Sequence, residues 1–168
     1  MRRLNYENMY KWVGGKRRLY QALLFADKIC VAFTVAAYAA LLGFSYLGGG
    51  WQLSLTYLAL SAVPFAVLSI ARRLINAPRP AELLDVSALG EVKHKRGRSM
   101  PSRHVFSAFL IGTLLTYRVM ALGVIVLMLG VCIGACRVLT AKHFVRDCVA
   151  GALCGALSGL IGIAILVF

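Results

Sequence analysis

Two histidines, one aspartate and a set of arginines are the residues of this chain whose types and spacing suit a reaction. They fall into three clusters: Arg72 and Arg79 with Pro80; Pro101-Ser102-Arg103-His104; and Arg137, His143 and Asp147. Arginines converging on one point suit a phosphoryl group, whose oxygens match guanidinium forks. His143 and Asp147 are four apart and so neighbours on one helix face. An aspartate beside a histidine keeps one ring nitrogen protonated and frees the other to attack phosphorus. His104 enters from another element and can protonate the leaving oxygen. Ser102 can cap the helix it precedes, turning exposed backbone N–H groups toward an anion. Arginines can neutralise the transition-state charge without a metal. No cluster of several carboxylates accompanies them, so neither a metal site nor a cofactor is expected.

The elements that position these clusters are read from composition. Hydrophobic residues make up 60% of the 168, and mean hydropathy is +0.77. Ordinary soluble domains are about 45–50% apolar, so a bilayer is the natural solvent. The net charge is +13, from 19 Lys+Arg against 6 Asp+Glu. Such a balance suits nucleic acid, anionic lipid or a phosphorylated substrate; the apolar content excludes the first. No charged side chain occurs from Ile29 to Ala71, and Gly48-Gly49-Gly50 divides that run. A crossing needs about 20 apolar residues, so the run predicts a hairpin of spans over 23–47 and 51–73, the second kinked at Pro64. Further spans are predicted at 103–118, 120–139 and 144–167. The reading is an all-α, multi-pass bundle of about five spans, forming one domain over 1–168. Residues 1–22 mix basic and aromatic side chains and suit an amphipathic segment lying on headgroups. Residues 72–104 form a long basic active-site loop. Following the chain through five crossings brings all three clusters to one membrane face, where charges default to function.

Other polar residues have plainer readings. His94 suits the interface, and Lys93 to Arg98 a solvated, lipid-facing charge run. Arg73, Lys142 and Arg146 suit headgroup contacts. Arg118 marks a turn on the opposite face. The five cysteines lack zinc or redox spacing and read as small packing residues.

The three clusters resemble the type 2 phosphatidic acid phosphatase family, which shares its core with vanadium haloperoxidases. That family carries Lys-x6-Arg-Pro, Pro-Ser-Gly-His and Ser-Arg-x5-His-x3-Asp. Here they stand as Arg72-x6-Arg79-Pro80, Pro101-Ser102-Arg103-His104 and Cys136-Arg137-x5-His143-x3-Asp147. The resemblance implies that His143 forms a phosphohistidine, Asp147 orients it, and His104 serves the leaving group and then water. It implies phosphate contacts from Arg79, Arg137, Ser102 and Arg72, the last in the family's lysine position. Three positions depart: Arg72 for Lys, Cys136 for Ser and Arg103 for Gly. Arg103 adds bulk and charge beside the phosphate site and joins the expected phosphate-binding set.

The implied substrate is a membrane lipid phosphate, with undecaprenyl diphosphate or a phosphatidylglycerol phosphate-like lipid favoured. The site faces outward by resemblance to bacterial relatives and inward by charge bias; both orientations stay open. Rival readings are a lipid-binding or lipid-translocating protein without catalysis, a phosphotransferase on the same fold, and a vanadate site. Arg103→Gly is expected to change the ratio of diphosphate to monophosphate hydrolysis in a phosphate-release assay; an unchanged ratio removes Arg103 from substrate selection.

Overall fold

A computed structural model describes residues 3–90 and 96–168, so Lys93, His94 and Lys95 of the basic run lie outside the described residues. The described residues form helices and no strand. Helix α1 spans Arg3–Gly14. Tyr6, Tyr10 and Val13 are buried, with the Tyr6 ring edge-on to Phe144 at 5.4 Å and the helix packed on a single 3₁₀ turn at Ser87–Leu89. The stretch 1–22, expected to lie as one segment on headgroups, is thus divided. The apolar side of α1 faces protein, and residues from Arg17 onward belong to the next helix.

Helix α2 spans Arg17–Ile75 and is broken at Gly50, whose φ of 69° and ψ of −170° leave helical space. Positive φ at that point favours a residue without Cβ. Ser54 Oγ donates to the Leu42 carbonyl at 3.2 Å. In a straight helix those residues would stand about 18 Å apart. The chain therefore doubles back into two arms, as the glycine run predicts. Helical φ/ψ continue through Pro64, so the break belongs to Gly50 and not to the proline. The second arm ends where Asn76 adopts left-handed φ and its N–H caps the Arg72 carbonyl.

Short helix α3, Pro80–Leu83, follows, then α4 at Arg103–Arg118, α5 at Met120–Leu139 and α6 at Val145–Val167. Helix α4 is buried on several faces, through Phe106, Leu110, Leu114, Leu115 and their neighbours. It packs chiefly on α6 and α5, with α2 on its remaining side. The approach to α6 is close: a Cβ on Gly151 would fall 2.6 Å from the Ser102 carbonyl oxygen. At the opposite end, the Arg118 guanidinium reaches within 3.7 Å of where a Gly48 Cβ would stand. The Gly48–Gly50 and Arg118–Met120 turns thus share the end away from the motifs.

Three helical stretches are long and apolar enough to cross a membrane: Arg17–Leu83, Met120–Leu139 and Val145–Val167. Their outer faces expose Phe44, Leu47, Ile70, Leu153, Ile161 and many other large apolar side chains, a surface suited to lipid. Replacing Gly151 by Ala is expected to destabilise the α4–α6 contact by about 1–3 kcal/mol. The unfolding midpoint in detergent should fall, whereas Gly43→Ala, with no atom within 4 Å of its Cβ position, should leave it unchanged or raise it, since alanine is the better helix former.

Candidate active site

The site is assembled where α2, α4 and α5 end or begin and α6 starts. Arg72, buried at the end of α2, donates from both terminal nitrogens, to the carbonyls of Pro101 and Arg98. Arg79 Nε donates to the Gly97 carbonyl at 3.2 Å. Glu82 Oε1 accepts the backbone N–H groups of Arg79 at 2.9 Å and Gly97 at 2.8 Å. The Ser99 N–H bonds the Ala77 carbonyl at 2.8 Å. Residues 97–101 are thereby stitched to the end of α2 and deliver the second motif to α6, where the Ser102 N–H meets the Asp147 carbonyl at 2.9 Å.

His143 is buried in the turn between α5 and α6. Its Nδ1 lies 3.7 Å from Asp147 Oδ2, too far for a direct hydrogen bond, and 3.3 Å from Ser99 Oγ. Ser99 Oγ donates to the same Asp147 oxygen at 2.5 Å, and the Phe144 N–H donates to it at 3.0 Å. Because the single serine proton goes to Asp147, the serine lone pair accepts from His143 Nδ1–H. That network assigns the proton to Nδ1 and leaves Nε2 with its lone pair. Burial is the main cause that holds the His143 pKa below the ordinary value; Asp147 opposes it, while Arg79 and Arg137 add to the lowering.

Arg137 organises the other histidine. Its Nε and one terminal nitrogen bind Asp27 at 2.9 and 3.1 Å. Its other terminal nitrogen is 2.9 Å from His104 Nδ1. A guanidinium only donates, so Nδ1 of His104 accepts and the ring proton sits on Nε2. Arg137 and His143 both act electrostatically on the His104 ring, as does Arg103. Arg79 and Arg137 act on His143.

The sequence model of the PAP2 superfamily matches residues 49–167, most of the chain. The chain belongs to the PAP2 superfamily. No curated protein sequence matches it significantly. Among solved structures, this PAP2 protein is similar to a transmembrane PAP2-type phosphatidylglycerolphosphate phosphatase from Bacillus subtilis. That likeness has a TM-score of 0.73 at 17% identity, over 96% of this chain and 84% of the other. It is also similar to Aquifex aeolicus LpxE, with a TM-score of 0.63 at 27% identity, over 88% and 93% of the two chains.

The sequence-predicted residues of this PAP2 protein take different places. Arg79, Arg103, His104, Arg137, His143 and Asp147 share one electrostatic neighbourhood. Arg72 joins it while clasping two carbonyls. Ser102 stands at the N-cap of α4 but makes no side-chain cap bond. Its buried hydroxyl has the Cys148 thiol as its hydrogen-bonding neighbour. Lys142, expected at headgroups, instead pairs with Asp27 at 3.0 Å, because a buried carboxylate attracts it more strongly than an interface does. Two residues escaped the sequence reading. Asp27 was legible as an acid at the head of a long apolar run, a position that demands a partner; Ser99 carries no such signal.

Asp27 is a positioning residue for Arg137. Asp27→Asn is expected to lower kcat by roughly 10²-fold through misplacement of the guanidinium, with a smaller change in KM. Lys142→Met removes the other contact to Asp27 and leaves the Arg137–His104 contact in place, so its loss of kcat should be clearly smaller than that of Asp27→Asn. Equal kcat losses, each tracking a lower unfolding midpoint, would reduce Asp27 to a structural role.

Proposed function

We propose that this PAP2 protein is an integral-membrane phosphatase that hydrolyses a lipid phosphate monoester or diphosphate through a phosphohistidine at His143. The observation that carries the reading is the buried His143 ring. Its Nδ1 proton is committed to Ser99, which is itself held by Asp147, and two arginines bear on the ring. His143 Nε2 attacks the terminal phosphorus, and its bond to the leaving oxygen breaks, which is the lipid alcohol oxygen of a monoester or the bridging oxygen of a diphosphate. His104 gives the departing oxygen its proton. Water then attacks the phosphohistidine, His104 takes a proton from that water, and the nitrogen–phosphorus bond breaks to release phosphate and free His143. Arg79 and Arg137 balance the charge on the equatorial oxygens, with Arg72 behind them.

To act as an acid, His104 must be protonated on both ring nitrogens, which requires Arg137 to leave Nδ1. Phosphate oxygens compete for the same guanidinium, so substrate arrival arms the acid. The lipid chain enters an apolar cavity of about 370 Å³ between the two arms of α2 and α4, lined by Val31, Val35, Phe65, Ile111 and Ile133 beside His104. That position suits an amphiphile diffusing in from the bilayer. Undecaprenyl diphosphate and phosphatidylglycerol phosphate-like lipids both fit this scheme.

We assign five crossings, one to each arm of α2 and one each to α4, α5 and α6. Helix α4 has 16 residues, about 24 Å of helix, and crosses inside the protein where neighbours shield its ends.

Incubation of purified protein with a panel of lipid phosphates in detergent tests the reading. Phosphate release should survive a chelator, and the trapped adduct should be acid-labile and alkali-stable. His143→Ala should abolish both while lipid binding persists. Release that is unaffected by His143→Ala would sink the nucleophile assignment, and an absence of release from any lipid would favour a binding or translocating protein. The acid limb of kcat/KM should lie below the ordinary histidine pKa of about 6.5, since burial keeps His143 unprotonated as pH falls. Asp147→Asn removes the interaction that raises this pKa and should move the limb lower still.

A further inference from the structure

Beyond the residues of the three motifs, the surface end of α2 and the loop before α4 enclose a cavity of about 320 Å³ lined by Arg72, Arg73, Arg79, Arg96, Arg98 and Arg103. Among the described residues, no carboxylate lines it. Arg73, Arg96 and Arg98 occupy no motif position. They read from sequence as headgroup contacts or a solvated charge run. The structure places them around one void, where like charges repel and an anion would relieve them.

The loop is fixed in this arrangement. The carbonyls of Gly97, Arg98 and Pro101 are held by Arg79 and Arg72. The Gly97 N–H is held by Glu82, which also feels the charge of Arg96. Arg98 itself has a φ of 53°, a left-handed conformation that a side chain seldom adopts. A segment that only needed to be basic and solvated would not require these bonds. The volume equals roughly ten water molecules, so it is roomier than a single phosphate needs.

The cavity also continues the path of the lipid. Phe65 lines the apolar cavity, and Ser69, Arg72, Arg73 and Asn76 line the arginine cavity further along the same arm of α2. Arg103 lines both, and His104 stands beside it in the first. An amphiphile lying along this arm has its chain at Phe65 and its head among the arginines.

We infer that Arg73, Arg96 and Arg98, with Arg103, form a subsite for a second phosphate group of the lipid head, so that the enzyme selects substrates bearing two phosphates. This rests on the lipid phosphatase reading above. The same phosphate chemistry is offered by a bystander anionic lipid and by free phosphate, and the test separates these sources.

Farnesyl phosphate and farnesyl diphosphate share one chain and differ by one phosphate. In nonionic detergent without added lipid, wild-type kcat/KM should favour the diphosphate by about 10-fold or more, as expected for two or more charge-assisted contacts. The Arg96→Gln/Arg98→Gln double variant, and Arg73→Gln separately, should raise KM for the diphosphate about 5- to 10-fold and leave the monophosphate unchanged. Inorganic diphosphate should compete better than orthophosphate with wild type, and lose that advantage in the double variant. Equal wild-type rates on the two substrates, or parallel losses on both in the variants, overturn the subsite. A loss that emerges only when phosphatidylglycerol is added to the micelles assigns the arginines to a bystander lipid and overturns it too. Should wild type hydrolyse neither substrate nor any lipid of the panel above, the phosphatase reading fails by itself. Calorimetry of inorganic diphosphate against orthophosphate, with wild type and the double variant, then decides the subsite independently. The unfolding midpoint of each variant separates lost arginine contacts from lost fold.

Discussion

Arg137 stands near the end of an apolar helix, 11% exposed, where an unpaired guanidinium would carry a desolvation penalty of several kcal/mol. Asp27, buried at the head of α2, removes that penalty with a two-point contact to the guanidinium. Three consequences follow from this pair. It ties α2 to α5, across 110 residues of sequence. It directs the remaining terminal nitrogen of Arg137 at His104 Nδ1. It also draws in Lys142, the residue before His143, so the turn carrying the second histidine is fastened to the same carboxylate. The portion of chain matched by the superfamily begins at residue 49, and Asp27 lies before it. The motif arginine is thus held by a residue outside the matched core.

The two histidines receive opposite instructions from their neighbours. His143 gives its Nδ1 proton to a serine that is itself committed to Asp147. His104 accepts a hydrogen bond at Nδ1 from a guanidinium. The same ring is therefore left with a lone pair on Nε2 in one case and a proton on Nε2 in the other. The first state suits the nucleophile proposed at His143; the second is a resting state, which the acid proposed at His104 leaves when Arg137 releases Nδ1 and that nitrogen is protonated. Environment alone separates the two tautomers, since both side chains have the same chemistry in water.

Much of this arrangement was legible in the chain. The glycine run marked the doubling back of α2, and following the chain through the expected crossings brought the clusters carrying Arg79, Arg137, His143 and Asp147 to one end. Uncharged length located the helices, although α2 begins at Arg17 instead of residue 23 because a basic first turn is tolerated in a helix that tertiary contacts support. Asp27 and Ser99 were harder to read. Each works through a partner distant in sequence, 110 residues away for Asp27 and Arg137 and 48 for Ser99 and Asp147. No local period encodes such a pairing. Lys142 was misplaced for the same reason: its carboxylate belongs to another helix. The burial of α1 also depends on a distant element, the 87–89 turn, so its aromatic and basic pattern read equally well as an interfacial helix.

Two of the departures from the family pattern meet at one place. A lysine at position 72 would present a single ammonium, a compact point charge. The guanidinium fork of Arg72 instead holds the carbonyls of Arg98 and Pro101 from one side chain, which fixes the loop carrying Arg96 and Arg98. Arg103, where the family has glycine, lines both the apolar and the arginine cavities. One change therefore shapes the basic loop, and the other connects it to the chain-binding space. Cys136 is different. It is buried near Cys30 and Cys132, and its carbonyl accepts the Thr140 hydroxyl and N–H at the end of α5. Its backbone closes the helix that presents Arg137, a task that any side chain of similar volume allows. The weak thiol donor thus falls where the structure asks for packing, while the two added guanidinium groups fall where it gathers charge.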